Sequence, residues 1–476
     1  MRPAERGRAT GVAIGLGVAV LVGWCFWLAV AVLASPEPGG TDAFIFKDAA
    51  CNLAQGHGFR ASAIPGNPGA VRELYSAYSP LHPLIFGAAF MATGCTPLVN
   101  TVIELGIATL AVLVVLLALR LHHWVAAGGR WRLFLGVVLA VLVGLNLPTG
   151  LQTNPMDRPD NMALIGFVLA LWLARRHAGA GGFVAGIVAW VHPFGALMSA
   201  FGVWLVAVCV PALQGGHAGV KALALRTLVM ILFFLLPVFA LVALALLLDP
   251  GALPRFLSHA VGVNSGLRAV SGGRSFADLL DFGLLNAGYH SISLGVRHVA
   301  AVLAVGVSAL LAKRAGVSTR SIVVWHMALV VFLLWPVLLF SSQNAYWTLA
   351  GTAVLLLFVS APPDMRAPGV AAGLLVIILV ALTPPSVFRI WTRISYADSF
   401  SAVDEAARAY FRDLPDTDWV AVPPALHTLA KQYHHRIAYP GYAASDAIRF
   451  TGRMECAYGM PSGSRPWFGG GGRHGR

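Results

Sequence analysis

The sequence predicts an all-α polytopic membrane protein of about eleven transmembrane helices, followed by a small extracytoplasmic α/β domain. Three observations predict it. Hydrophobic residues make up 58% of the 476 residues and charged residues only 11%, against about 25% charged in soluble domains. The mean hydropathy of +0.74 leaves too little polar surface for a chain of this length to face water on all sides. Basic residues are unevenly shared between alternate inter-crossing segments, and composition changes after Pro384. A soluble enzyme, a disordered chain and a coiled coil are excluded.

The first apolar run, 10–34, follows Arg2, Arg6 and Arg8. It exceeds the usual h-region of about 7–15 residues, so a retained anchor is expected rather than a cleaved signal peptide. Residues 35–97 form the first outer loop. Within it, 81–95 is apolar but shorter than the roughly 20 residues a crossing needs, and is expected to lie on or dip into the membrane surface. Crossings follow at 98–119, 133–147, 161–174, 227–248, 298–312, 321–340, 346–361 and 368–383. The run 182–212 is too long for one crossing, and His192-Pro193 near its middle favours a break, so two are expected there. With that count the cytoplasmic segments hold 14 Lys/Arg in 60 positions, and the outer segments before the tail hold 8 in 130. This is the asymmetry that short inner loops show. It puts the N-terminus in the cytoplasm and the C-terminal domain outside, in a multi-pass plasma (inner) membrane protein.

Residues 1–383 are thus the transmembrane domain, 384–461 a small outer α/β domain and 462–476 a flexible tail. In that domain Ser401-Ala402-Val403-Asp404 reads as a capping box opening a helix. A short strand is expected at 419–422 and a second helix at 424–433. Five cysteines are too few for a disulfide framework. Cys25 and Cys209 read as small buried hydrophobes; Cys51 and Cys95 share one outer segment and either pair or stay as free thiols.

The net charge of +13 is mostly orientation charge. No zinc-finger spacing, phosphate-cradling glycine loop or basic run points to nucleic acid. The crossings hold few ionisable groups: Glu104 near an outer end, and the single histidines His192 and His326. Ion-coupled transport needs titratable groups near the midplane, so their scarcity argues against it. His192 in an apolar run reads as a satisfied core histidine.

Acidic residues gather instead in outer loops. From Asp42 to Leu53 the apolar spacing is helical and stops at Gly56-His57-Gly58, which places Asp42 at a helix N-terminus, where the dipole favours its ionised form. A second acidic site, Met156-Asp157-Arg158-Pro159-Asp160-Asn161, precedes the fourth crossing. Asp42 and Asp160 each read alternatively as an N-cap. A carboxylate beside a lipid-buried site can take a proton from a hydroxyl nucleophile, while cations hold an anionic leaving group.

The stretch Asp42 to Phe59, with Ile45-Phe46, Ala50-Cys51-Asn52-Leu53 and Gly56-His57-Gly58-Phe59, resembles the first-loop signature of the GT-C superfamily of membrane glycosyltransferases. That superfamily includes protein O-mannosyltransferases and lipid A aminoarabinose transferases. Tyr78-Ser79-Pro80-Leu81-His82-Pro83-Leu84 is similar to its Tyr-x-Pro-Leu-x-Pro-Leu element, and Arg158-Pro159-Asp160 to its Arg-Pro-Asp/Glu. Gln343-Asn344-Ala345-Tyr346-Trp347 matches its late outer turn loosely. The resemblance implies a GT-C-like fold and inverting transfer of a sugar from a polyprenyl-phosphate donor to a lipid, glycan or protein acceptor on the outer face. Asp42 would be the general base, and Asp160 would bind acceptor or orient the sugar. Lys47, His57, Arg158 and Arg297 would meet the lipid phosphate, with a solvated interfacial charge as the alternative for each. Asp48 is grouped with substrate binding. It is expected mid-helix on another face from Asp42, pairing with Lys47 or solvent. No cofactor is expected: Ala43 follows Asp42 where many members carry a second acidic residue, and a divalent metal stays an open alternative. The reading from another class is a lipid or glycan transporter or flippase; a third is a non-catalytic scaffold.

Overall fold

A computed structural model describes residues 46–61, 74–75, 78–121, 159–215, 220–254, 256–257, 318–339, 397–414, 420–421, 426–434 and 437–438, with isolated positions between 302 and 313. The crossings expected at 10–34, 133–147, 346–361 and 368–383, and residues Asp42, Arg158 and Arg297, lie outside them.

The described chain is mostly helical. Helix α1 (Asp48–Ala54) is short. It stops where the sequence places glycine: Gly56 takes φ 79°, Gly56 N–H donates to Leu53 O and His57 N–H to Asn52 O. That pair of bonds is a Schellman closure, which needs a left-handed residue at the position glycine fills. α2 (Leu81–Thr93) starts after Pro80 and ends at Gly94. It buries His82, Phe86 and Phe90 and exposes Leu84, Ile85 and Met91. A helix apolar on its exposed side suits a lipid-facing position. α3 (Pro97–Leu121) begins with proline at its first position, where the missing N–H costs nothing; Thr96 Oγ1 accepts from Val99 N–H.

α4 (Asp160–Ala174) and α5 (Ala178–Ile187) follow, and a 3₁₀ turn, Val188–Trp190, continues α5. The chain breaks at His192, whose backbone is extended (φ −155°, ψ 113°), and restarts as α6 (Pro193–Trp204). This is the break expected from His192-Pro193, since a residue before proline is pushed out of the helical region. A π turn at Leu205–Cys209 joins α6 to α7 (Val210–Gly215). α8 (Val220–Leu248) carries Pro237, and α9 runs Thr319–Leu339. Phe332 of α9 stacks on Phe167 of α4 and Phe201 of α6.

Among the described residues two helices, Pro193–Leu213 and Lys221–Leu248, are long and apolar enough to cross a membrane. The second exposes Leu225, Leu228, Leu232, Leu236 and Phe239 along one side, Leu225 at 62% and Phe239 at 61%. An apolar face of that length calls for lipid or a partner rather than water, which is consistent with a membrane protein.

α5 approaches α8 through glycine. A Cβ built at Gly182 falls on the carbonyl of Met230, and one at Gly186 on that of Phe234; close backbone approach through small residues is how membrane helices pack. Gly186→Val is therefore expected to cost about 1–3 kcal/mol in thermal unfolding. Phe183→Leu, on the exposed side of the same helix, is expected to change stability by less than about 0.5 kcal/mol.

Near the C-terminus, α10 spans Ala397–Asp413. It opens four residues before the capping box at Ser401, because the turn from Ala397 to Phe400 continues the helical register instead of ending in a cap. Strands β1 (Val420–Ala421) and β2 (Ile437–Ala438) pair in parallel, Val420 opposite Ile437, on either side of α11 (His427–Ala430). The second helix expected over 424–433 is thus confined to α11 with a turn after it. Ala407, Phe411, Leu426, Leu429, Ala430 and Ile437 share one small core, and α11 rests against α1 and α3.

Candidate functional site

Three consecutive residues organise the site. Phe46, Lys47 and Asp48 are all buried, and each is tied to a different part of the chain. The Phe46 ring meets Tyr78 and His82 edge-on. Lys47 pairs with Glu104 of α3 and lies over the Phe86 ring. Asp48 Oδ1 lies 2.7 Å from Lys431 Nζ, just beyond α11. Isolated buried charges are prohibitive and paired ones tolerable, so these pairs hold the start of α1 against α2, α3 and the C-terminal segment.

Around them the polar side chains interlock. Lys431 Nζ also donates to Asn52 Oδ1 at 2.7 Å, Asn52 Nδ2 donates to Arg60 O at 2.7 Å, and Gln55 Nε2 to Lys431 O at 2.6 Å. Burial draws the Lys431 ammonium below its ordinary range, with Asp48 opposing. Cys51 and Cys95 form a disulfide, Cα to Cα 5.5 Å, tying α1 to the residue before α3's cap. Closing a loop of that span is worth about 4 kcal/mol in the chain-entropy account.

His82 stands 3.5 Å from Glu104 Oε1. Burial, then the Lys47 charge, lower its pKa to about 4 against Glu104's opposing pull. The unfolded chain therefore binds a proton near pH 6.5 that the folded chain refuses until about pH 4. Stability from this residue is complete above the upper value and drains away as pH falls to the lower. The loss is on the order of 3 kcal/mol. Unfolding measured between pH 7 and 4 should show that slope, and His82→Gln should flatten it.

A second line of groups runs beside the first. Gly195 N–H donates to His192 Nδ1 at 3.1 Å, so a neutral His192 carries its proton on Nε2. That nitrogen is 2.9 Å from Tyr78 Oη and 3.6 Å from Asp160 Oδ1, within ion-pair but beyond hydrogen-bond reach. Ser79 Oγ donates to Ala189 O at 2.6 Å, satisfying a carbonyl freed where the helix breaks. The Tyr78-Ser79 dipeptide thus locks onto the His192 break, and a hydroxyl, an imidazole and a carboxylate stand along one line. Several other buried groups have no hydrogen-bond partner among the described residues: both His82 nitrogens, both ends of the Asn100 amide, Glu104 Oε2, Asn161 Oδ1 and Tyr75 Oη. Burial pushes the Tyr75 hydroxyl up, with Tyr78 and Asp48 adding. Buried polar atoms in this number ask for water or a ligand.

Lys47 and Asp48, expected to face substrate, are turned inward. Each is buried and matched by a charge distant in the sequence, and Asp48 opens α1 instead of standing mid-helix. Asp160 opens α4 with Asp160 and Asn161 both buried. His57 is exposed just past α1. His192 is satisfied, as a core histidine is, and it also joins the Tyr78 and Asp160 segments. Glu104, His82, Asn52 and Lys431 were absent from the expected site. Glu104 had a signal, being a carboxylate inside an apolar helix, whereas Lys431 had none. Among the described residues no three His, Cys, Asp or Glu gather as metal ligands.

No family model matches the chain, and no curated protein matches it. Among solved structures it is similar to the Archaeoglobus fulgidus oligosaccharyltransferase in complex with Zn and sulfate, with TM-score 0.42 and 15% identity. The alignment covers 88% of this chain and 62% of that one, so the chain spans less than two thirds of the structure it matches. A superposition this loose says nothing about activity.

Proposed function

We propose that the chain is an inverting glycosyltransferase that moves a sugar from a polyprenyl-phosphate donor to a lipid, glycan or protein acceptor at the outer face of the plasma membrane. One observation carries the reading. Segments from three of the four resembling motifs, distant in sequence, converge in one buried polar cluster: Phe46 to Asn52, Tyr78 to His82, and Asp160 with His192. The Cys51–Cys95 disulfide supports an oxidising, outer location for the first loop.

In this reaction the acceptor oxygen attacks the anomeric carbon on the face opposite the phosphate. The carbon–oxygen bond to the phosphate breaks, and the lipid phosphate leaves with the bonding electrons. Asp42 takes the hydroxyl proton. His57, Arg158 and Arg297 meet the leaving phosphate. Lys47 drops out of that group, its charge being met by Glu104. Asp160, beside His192, orients acceptor or sugar.

An outer site has no access to cytoplasmic nucleotide sugars. Purified protein given polyprenyl-phosphate sugar and acceptor membranes, without nucleotide, should release free polyprenyl phosphate and glycosylated acceptor. A strict requirement for a nucleotide sugar, or donor carried across vesicles unmodified, would count against the reading.

A further inference from the structure

We infer that Lys431 is a positioning residue of the site, and that the C-terminal segment closes the site by gripping α1 rather than serving as a separate partner-binding module; this rests on the glycosyl-transfer reading. The grip is specific in geometry. Lys431 Nζ meets Asp48 Oδ1 and Asn52 Oδ1, both at 2.7 Å, and Lys431 O accepts from Gln55 Nε2 at 2.6 Å. Residues 48, 52 and 55 lie on one face of the helix, so a single residue holds all of that face. Lys431 itself is fixed: it follows Leu429 and Ala430, both in the small core with Phe411 and Ile437, and His434 Nε2 lies 2.8 Å from Phe411 O. Asn52 extends the grip to the loop after α1 by donating to Arg60 O, and His57 stands between those two residues.

A fully buried lysine is a costly way to join two pieces of protein, since apolar residues of similar volume do so as well or better. What a lysine adds is direction. Its donors select one rotation and one height for α1, and Phe46 and Lys47 at its start, which touch Tyr78, His82 and Glu104, inherit that setting. Misplacing a reacting group by about 1 Å can cost about a hundredfold in rate.

The test uses full-length protein in detergent, with Lys431→Met and the paired neutral variant Asp48→Asn/Lys431→Gln, in which an amide pair replaces the charges. Two readouts are taken: kcat and KM for polyprenyl-phosphate sugar, and amide exchange along the chain. Lys431→Met should lower kcat about a hundredfold with KM little changed, and should speed exchange in α1 while α8 stays as protected as before. The paired variant should recover α1 protection and most of kcat, and it decides the matter if Lys431→Met fails to fold. Unchanged kcat in Lys431→Met overturns the proposal. So does a kcat loss with α1 exchange unaltered, which would mean Lys431 acts without holding the helix. If the unaltered protein does not turn over donor, the enzyme reading has failed on its own. The grip then stands or falls on α1 exchange alone: faster exchange confined to α1 sustains it, and unchanged exchange refutes it.

Discussion

Asp42→Asn should lower turnover of polyprenyl-phosphate sugar by about a hundredfold or more, because general-base catalysis is worth about 10²–10⁴-fold. Donor affinity and thermal stability should both hold, since asparagine keeps the size of the side chain and removes only its ability to accept the acceptor's proton. Asp48→Asn makes the informative contrast. From sequence alone it should cost less than about tenfold in rate, as a non-catalytic residue. Its pairing with Lys431 adds a different penalty, because removing one member of a buried pair typically costs about 3–5 kcal/mol. The two variants therefore separate by kind as well as by size. Asp42→Asn loses rate at an unchanged unfolding temperature, and Asp48→Asn loses stability first. Mild effects of Asp42→Asn on rate would remove Asp42 as the base.

Lys47→Met should be among the most destabilising single changes in the protein, by about 3–5 kcal/mol. It strands the Glu104 carboxylate, which is buried with Oε2 lacking a hydrogen-bond partner among the described residues. Burial, the largest cause of the low pKa of its neighbour His82, remains when Lys47 is removed and opposes protonation of the imidazole in its place. The Lys47 ammonium also sits 3.1 Å from the centre of the Phe86 ring, an attraction methionine does not reproduce in full. Adding Glu104→Gln to Lys47→Met should restore most of the stability, because no charge is then left unmatched. A double-mutant cycle in thermal unfolding measures this directly; additive losses would mean the two side chains do not depend on each other.

What was legible in the sequence is what local physics decides. The break at His192-Pro193 follows from a proline's effect on its own neighbour, and the end of α1 from a glycine where φ turns positive. Helices at Pro97–Leu121, Asp160–Ala174 and Thr319–Leu339 lie within a few residues of the apolar runs that suggested them. Asp160 stands at a helix start, as its position before an apolar run implies. The inward turn of Lys47 and Asp48 was not legible. Their setting depends on residues far along the chain: Glu104 is 57 positions from Lys47, and Lys431 is 379 from Asn52. No periodicity or motif encodes such a meeting. Strand β2 escaped notice for a simpler reason: two residues leave no alternation to read.

The disulfide and the lysine grip on α1 differ in when synthesis can supply them. Cys51 and Cys95 are separated by 44 positions and both emerge early, so the covalent tie can close while most of the chain is still to be made. Lys431 arrives 379 positions after Asn52. Until it does, the disulfide ties α1 while the Lys431 ammonium is not yet there to meet Asp48. A chain cut short before Lys431 would thus have its first loop sealed by the disulfide and α1 without the ammonium that meets Asp48.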